Sequence, residues 1–193
     1  MLETMKGKTT ITASTRFRAA LTALVLLMVS LAACNNQSAA PAQDDKQVTN
    51  DTISKETMEK NMQEVQDYLK ECGAFFIATV DGDQPRVRPF GVSEIINGRF
   101  YIMTGKVKDV YKQMAANGKF EICALKPSGS EWMRLSGTLV NDETLAVKEE
   151  FLNRNESLKS MYKADDDNMA VLYITNATAR FCSFTEPERQ VHF

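Results

Sequence analysis

The side chains best suited to chemistry in this chain are cations, and they come in two short runs. Arg86 and Arg88 stand two apart in Gln84-Pro-Arg-Val-Arg-Pro-Phe-Gly91, so on an extended strand they share a face. Two guanidinium groups on one face repel unless an anion or carboxylates lie between them, and a guanidinium fork matches phosphate oxygens. Taken alone, the pair suits solvated arginines on a surface strand. The run Thr104-Gly-Lys-Val-Lys108 changes that reading, because it leads into a helical pattern. A loop entering a helix N-terminus attracts anions through unpaired N–H groups and the helix dipole. Thr104 adds a hydroxyl there, and Lys106 and Lys108 add charge. The run is no P-loop, since it lacks the upstream glycine and the Ser/Thr after the lysine. Trp132 and Arg134, also two apart, offer an indole beside a cation, which suits covering an aromatic ligand. Trp132 suits closing a core or a subunit interface equally well. Together these residues predict a site for a planar, phosphate-bearing ligand. Pro89, Phe90 and Gly91 follow Arg88 directly; the proline has no N–H, which predicts a bulge where the backbone meets a ring edge.

The elements around these runs are legible from period and punctuation. Met58, Met62, Val65, Leu69 and Cys72 form a helical apolar stripe closed by Gly73. Residues 74–80 read as a buried strand ending in an Asp81-Gly82 turn, and residues 85–96 as a second strand. Asn97-Gly98 is a hairpin signal into a third strand, residues 99–104, which sets the Thr104 loop beside Arg88. Residues 107–117 are helical, with Gly118 closing them; residues 119–125 and 131–140 alternate as strands. Residues 141–153 start acidic and read as a helix, residues 157–168 as a loop with a helical turn. Residues 169–175 and 177–185 read as two strands pairing around Asn176, and residues 189–193 as a last short strand. Antiparallel strands joined by hairpins, with few short helices, predict a mainly β fold, a barrel with helices packed at its openings.

The first half-hundred residues read differently. Lys6, Lys8, Arg16 and Arg18 precede an apolar run, residues 19–31, of signal-peptide length and too short for a comfortable membrane span. It ends in Leu31-Ala-Ala-Cys34, the pattern of a bacterial lipobox. Residues 1–33 therefore read as a lipoprotein signal peptide and Cys34 as the lipidated first residue of an exported protein, held on a bacterial membrane. Residues 34–53 are small and polar, a tether with too little apolar surface to offset its ordering entropy. Residues 54–193 suit one domain. A formal charge of −2 argues against nucleic acid as partner. The one histidine, His192, makes a histidine triad or zinc site improbable, and Cys72, Cys123 and Cys182, in or beside apolar runs, read as buried free thiols.

From residue 62 to the last residue the chain resembles the pyridoxamine 5'-phosphate oxidase-like, FMN-binding split-barrel proteins. The Gln84-Pro85-x-x-Arg88 run resembles the family strand whose arginine meets the FMN phosphate, and Thr104 to Lys108 resembles the family's threonine-to-lysine phosphate loop. By that resemblance the fold is an antiparallel split β-barrel in a single domain. The cofactor is FMN, held by Arg86, Arg88, Thr104, Lys106 and Lys108 at the phosphate and by Pro89, Phe90 and Gly91 at the ring. Trp132 reaches the flavin from the partner subunit of a homodimer. The implied function is that of an oxidoreductase; a non-catalytic carrier of flavin, deazaflavin or haem is the alternative. Ser93 stands where the oxidase itself carries a substrate-binding lysine, so the resemblance extends to the cofactor rather than to vitamin B6 as substrate. Substrate and electron donor have no signature, and no acid or base stands out.

Overall fold

The computed structural model describes residues 53–193. The signal peptide, Cys34 and nearly all of the tether expected from the sequence lie outside the described residues. Among the described residues no helix is long and apolar enough to cross a membrane.

Helix α1, Lys55–Cys72, is capped at both ends by groups that satisfy its backbone, a side chain at the start and a backbone N–H at the end. The Ser54 hydroxyl accepts a hydrogen bond from the Thr57 N–H at 3.2 Å, and Gly73, at φ 74°, donates to the Leu69 and Lys70 carbonyls. Met62, Val65 and Leu69 on its apolar stripe are buried in the main core.

Strand β1, Phe75–Asp81, turns through Gly82 into β2, Gln84–Phe90. The single second strand expected over residues 85–96 is in fact two strands. It breaks after Phe90, and β3, Ser93–Ile96, begins after a gap of two residues. β3 and β4, Arg99–Gly105, form the hairpin signalled by Asn97-Gly98, both at positive φ. Helix α2, Asp109–Asn117, then leads through Gly118 into β5, Lys119–Leu125, and β6, Glu131–Asp142. Helix α3, Leu145–Arg154, and a 3₁₀ turn at Glu156–Ser160 precede β7, Met169–Ser183, and β8, Arg189–His192.

All pairings are antiparallel, in the order β2-β1-β5-β6-β7-β4-β3, with β8 alongside the second half of β7. The two ends of that row are consecutive in the chain. Only Gly91 and Val92 join β2 to β3, so the sheet must curl until its opposite edges nearly meet. The result is an antiparallel barrel split along the β2/β3 seam.

Three expectations change here. The cysteines are free thiols but not buried: Cys72 and Cys182 are partly exposed and Cys123, on the outer face of β5, is exposed. Pro89 makes no bulge: it stays in register opposite Phe76, because β2 is an edge strand and the missing N–H of Pro85 and Pro89 falls on its open side. Asn176 makes no hairpin either. It sits at φ 52° inside one fifteen-residue strand, opposite the register shift between Ser136 and Thr138. Gly137 sits in that shift, where a Cβ would come within 2.8 Å of the Thr175 carbonyl oxygen. This bulge bends the long β6/β7 ribbon, so that β7 pairs with β4 before it and with β8 after it.

β4 is buried on both faces. Phe100 and Ile102 join α1 and the barrel interior; Tyr101 and Met103 pack under α3 with Val147, Phe151 and Tyr162. The outer face of β1, β2 and β5 has no such cover among the described residues and leaves Phe76, Val87 and Leu125 at least half exposed.

Candidate functional site

The β2/β3 seam opens into a cavity of about 220 Å³. Arg88, Pro89, Phe90 and Gly91 supply one wall as β2 crosses to β3. Met103 and Thr104 at the end of β4, and Lys108 and Val110 at the start of α2, supply the floor. Leu158, Met161 and Tyr162, from the 3₁₀ turn and the residues just after it, close the third side. Six residues singled out in the sequence therefore line one cavity: Arg88, Pro89, Phe90, Gly91, Thr104 and Lys108.

Two polar side chains of this cavity, Thr104 and Lys108, lack a hydrogen-bond partner among the described residues, and Arg88 is bonded only to neutral groups. Thr104 is 3 % exposed and its hydroxyl has no hydrogen-bond partner among the described residues. An unmet buried hydroxyl is a cost in the empty protein and a ready donor to an anion. Lys108 caps α2 without a side-chain bond, and its ammonium lies 5.8 Å from the centre of the Tyr162 ring. Among the described residues no carboxylate lies within 4 Å of Arg88 or Lys108, whereas most neighbouring cations are paired. Burial, and then the nearby Arg86, push the Arg88 pKa down, as befits a cation with no counter-charge beside it. The N-terminus of α2 adds its partial positive charge.

Three further sequence candidates lie elsewhere. Arg86 shares the Arg88 face but pairs with Asp81 at 3.4 Å. Lys106 turns away to Glu143 at 2.7 Å, while its N–H donates to the Asn168 carbonyl. That contact raises the Lys106 pKa and, together with Lys148, holds Glu143 down at about 2. Trp132 sits on the outer face of β6 against Phe184, ring centres 5.2 Å apart, and does not line the cavity of its own chain. Tyr162 and Met161 went unnoticed in the sequence because a loop between a helix and a strand carries no period. Tyr162 packs against Gly105, where a Cβ would meet its ring at 3.3 Å.

A family model, pyridoxamine 5'-phosphate oxidase, matches residues 62–183. The chain belongs to the pyridoxamine 5'-phosphate oxidase family. It is also similar in structure to a NimC/NimA family protein of Clostridium acetobutylicum, at 40 % identity and a TM-score of 0.69, over 72 % of this chain and 96 % of that one. At 14 % identity it shares the fold of general stress protein 26 of Bacillus anthracis, with a TM-score of 0.54 over 68 % of this chain and 98 % of that one. A heme-binding protein of Mycobacterium smegmatis shares the fold at 13 % identity and a TM-score of 0.52, over 72 % of this chain and 58 % of that one. No curated protein matches significantly. The pyridoxamine 5'-phosphate oxidase match spans every residue of the cavity, from Arg88 to Tyr162, and Trp132 on the outer face.

Proposed function

We propose that this member of the pyridoxamine 5'-phosphate oxidase family binds FMN in the seam cavity and acts as an oxidoreductase. The observation that carries the reading is the buried, unpartnered Thr104 hydroxyl in one cavity with two cations, Arg88 and Lys108, neither of which has a carboxylate within 4 Å among the described residues. Arg88, Thr104 and Lys108 would hold the phosphate, and Phe90 and Gly91 continue the wall toward the ring. The residues present fit the group: three donors for a dianion, and apolar side chains at Val92, Met103 and Met161 for a flat ring. Bound there, FMN would supply the electron and hydride transfer. The chain itself would bind, orient and exclude water, for the cavity lining contains no carboxylate and no histidine.

That same lining favours one alternative, a carrier of flavin, deazaflavin or haem. Haem is the weaker form of it, because neither histidine nor cysteine lines the cavity and only Tyr162, Met103 and Met161 stand there as candidate iron ligands. Titrating the purified chain with FMN and following flavin fluorescence tests the site. Saturable quenching at one FMN per chain is expected, and its loss in the Arg88→Ala/Lys108→Ala double variant. Undiminished FMN affinity in that variant would sink the assignment. Bleaching of bound flavin by a reduced nicotinamide nucleotide supports the enzyme; bound flavin that no donor reduces supports the carrier.

The protein is further proposed to work as an exported homodimer, in the periplasm or at the cell surface, anchored to a bacterial membrane through Cys34. The uncovered apolar face supports the dimer. Pro89 lies on that face opposite Phe76 and also lines the cavity, so a second copy seated there would reach the cavity mouth, as the Trp132 expectation requires. The lipobox supports the anchor: labelled palmitate should enter the wild-type chain in a bacterial host and not Cys34→Ala.

A further inference from the structure

The guanidinium of Arg88 has five N–H hydrogens. Nη1 donates to Thr79 Oγ1 at 2.6 Å and, at longer range, to the Arg86 carbonyl at 3.1 Å and the Ile77 carbonyl at 3.3 Å. Nη2 donates to Gln113 Oε1 at 2.7 Å. The Thr79 hydroxyl gives its own hydrogen to the same Gln113 oxygen at 2.6 Å. Every proton in this triangle has a direction. Gln113 Oε1 receives Arg88 Nη2, so reversing the amide would set its NH₂ against a guanidinium that can only donate. Thr79 and Gln113 are both buried, and neither lines the cavity. They hold Arg88 from behind.

The contacts occupy only one edge of the guanidinium. Nη1 and one hydrogen of Nη2 are used, which is the end-on edge. The side-on edge, Nε–H and the second Nη2 hydrogen, has no partner among the described residues. Two parallel N–H groups on one edge are the arrangement that takes two oxygens of a single phosphate. The holding groups are also neutral. A carboxylate at residue 113 would fix Arg88 equally well, but it would cancel the charge that an anion needs.

We infer that Gln113 and Thr79 are positioning residues for anion capture: they grip the end-on edge of Arg88, turn its side-on edge to the cavity, and leave its charge uncompensated. The inference rests on the anion-site reading above, and goes beyond it in assigning two residues outside the cavity to ligand affinity. It ranks ahead of the larger opening between α1 and β7, where no buried side-chain polar atom is left without a partner among the described residues.

The test compares the full-length wild type with Gln113→Glu, Gln113→Leu and Thr79→Val, using FMN, riboflavin and inorganic phosphate as probes. Gln113→Glu should weaken FMN by about tenfold or more, the size of one charge-assisted contact. Riboflavin, which lacks the phosphate, should bind all four proteins alike, a ratio that a merely structural role would not move. Gln113→Leu and Thr79→Val, which free the guanidinium without neutralising it, should lose less FMN affinity than Gln113→Glu. Millimolar inorganic phosphate should raise the melting temperature of the wild type and not of Gln113→Glu. If the wild type answers to phosphate but not to FMN, the positioning role stands and the flavin reading falls. An unchanged FMN-to-riboflavin ratio in Gln113→Glu overturns the inference, as does a wild type indifferent to phosphate. Should Gln113→Glu fail to fold, an unchanged ratio in both Gln113→Leu and Thr79→Val has the same force.

Discussion

At the scale of single residues, the cavity trades stability for binding. Thr104 keeps a hydroxyl where packing alone would prefer a methyl group. Thr104→Val removes the unmet donor while nearly keeping the volume, so the ligand-free protein should gain roughly 1 kcal/mol. FMN affinity should fall by about tenfold in the same variant, since one hydrogen bond to a charged group is lost. Urea denaturation and flavin titration on one preparation check both halves; a variant that loses stability without FMN would show that the hydroxyl has a structural partner. Arg86 and Arg88 make the complementary point. They share a face and a residue type, yet Arg86 faces Asp81 while Arg88 is held by neutral groups. Arg86→Ala is therefore expected to lower FMN affinity far less than Arg88→Ala.

At the scale of elements, two junctions carry the geometry. The β6/β7 bulge needs Gly137, because a Cβ there would press on backbone rather than on a side chain that can move. Gly137→Ala should cost about 1–3 kcal/mol, read as a lower urea midpoint with the fold retained. The second junction is Glu143, which joins Lys106 of the β4–α2 loop to Lys148 of α3. Its carboxyl is held near 2, below its ordinary 4.5, by those two ammonium groups. A depressed carboxyl pKa contributes stability that is present above the unfolded value and lost as the pH falls through the folded one. The melting temperature should thus decline as the pH drops from about 5 toward 2, and Glu143→Gln should flatten part of that decline. Because Glu143 is half exposed, salt should shrink the effect. An unchanged acid limb in Glu143→Gln would mean that other carboxylates govern it.

For the whole molecule, the exposed apolar face of β1, β2 and β5 sets the expectation. Val87 is 64 % exposed, Leu125 53 % and Phe76 50 %, on adjacent strands of one sheet face. An exposed apolar face of this kind is what the proposed dimer would cover. Leu125→Lys, which changes no residue of the cavity lining, should shift sedimentation from dimer to monomer. If Trp132 completes the partner's site, FMN affinity should fall with it. A wild-type chain that sediments as a monomer would end the dimer proposal.

The elements and the kind of chemistry were legible without the fold, because their signals are local. The α1 stripe, the Asn97-Gly98 hairpin, the Gly118 stop and the Thr104–Lys108 run each depend on neighbours a few residues away. What neighbours cannot set is which strands become edges, so the break after Phe90 and the unbroken β7 through Asn176 stayed hidden. The same limit applied to the site. Sequence supplied four cations of the right type at the right spacing; tertiary structure decided which would be free to meet an anion. Glu143 reaches Lys106 across thirty-seven positions of chain and takes it out of the site, while Thr79 and Gln113, thirty-four apart, close on Arg88 and keep it in. Hydrogen bonds and direct ion pairs form only when the groups are within about 3–4 Å, and only the packed strands fix which groups come that close.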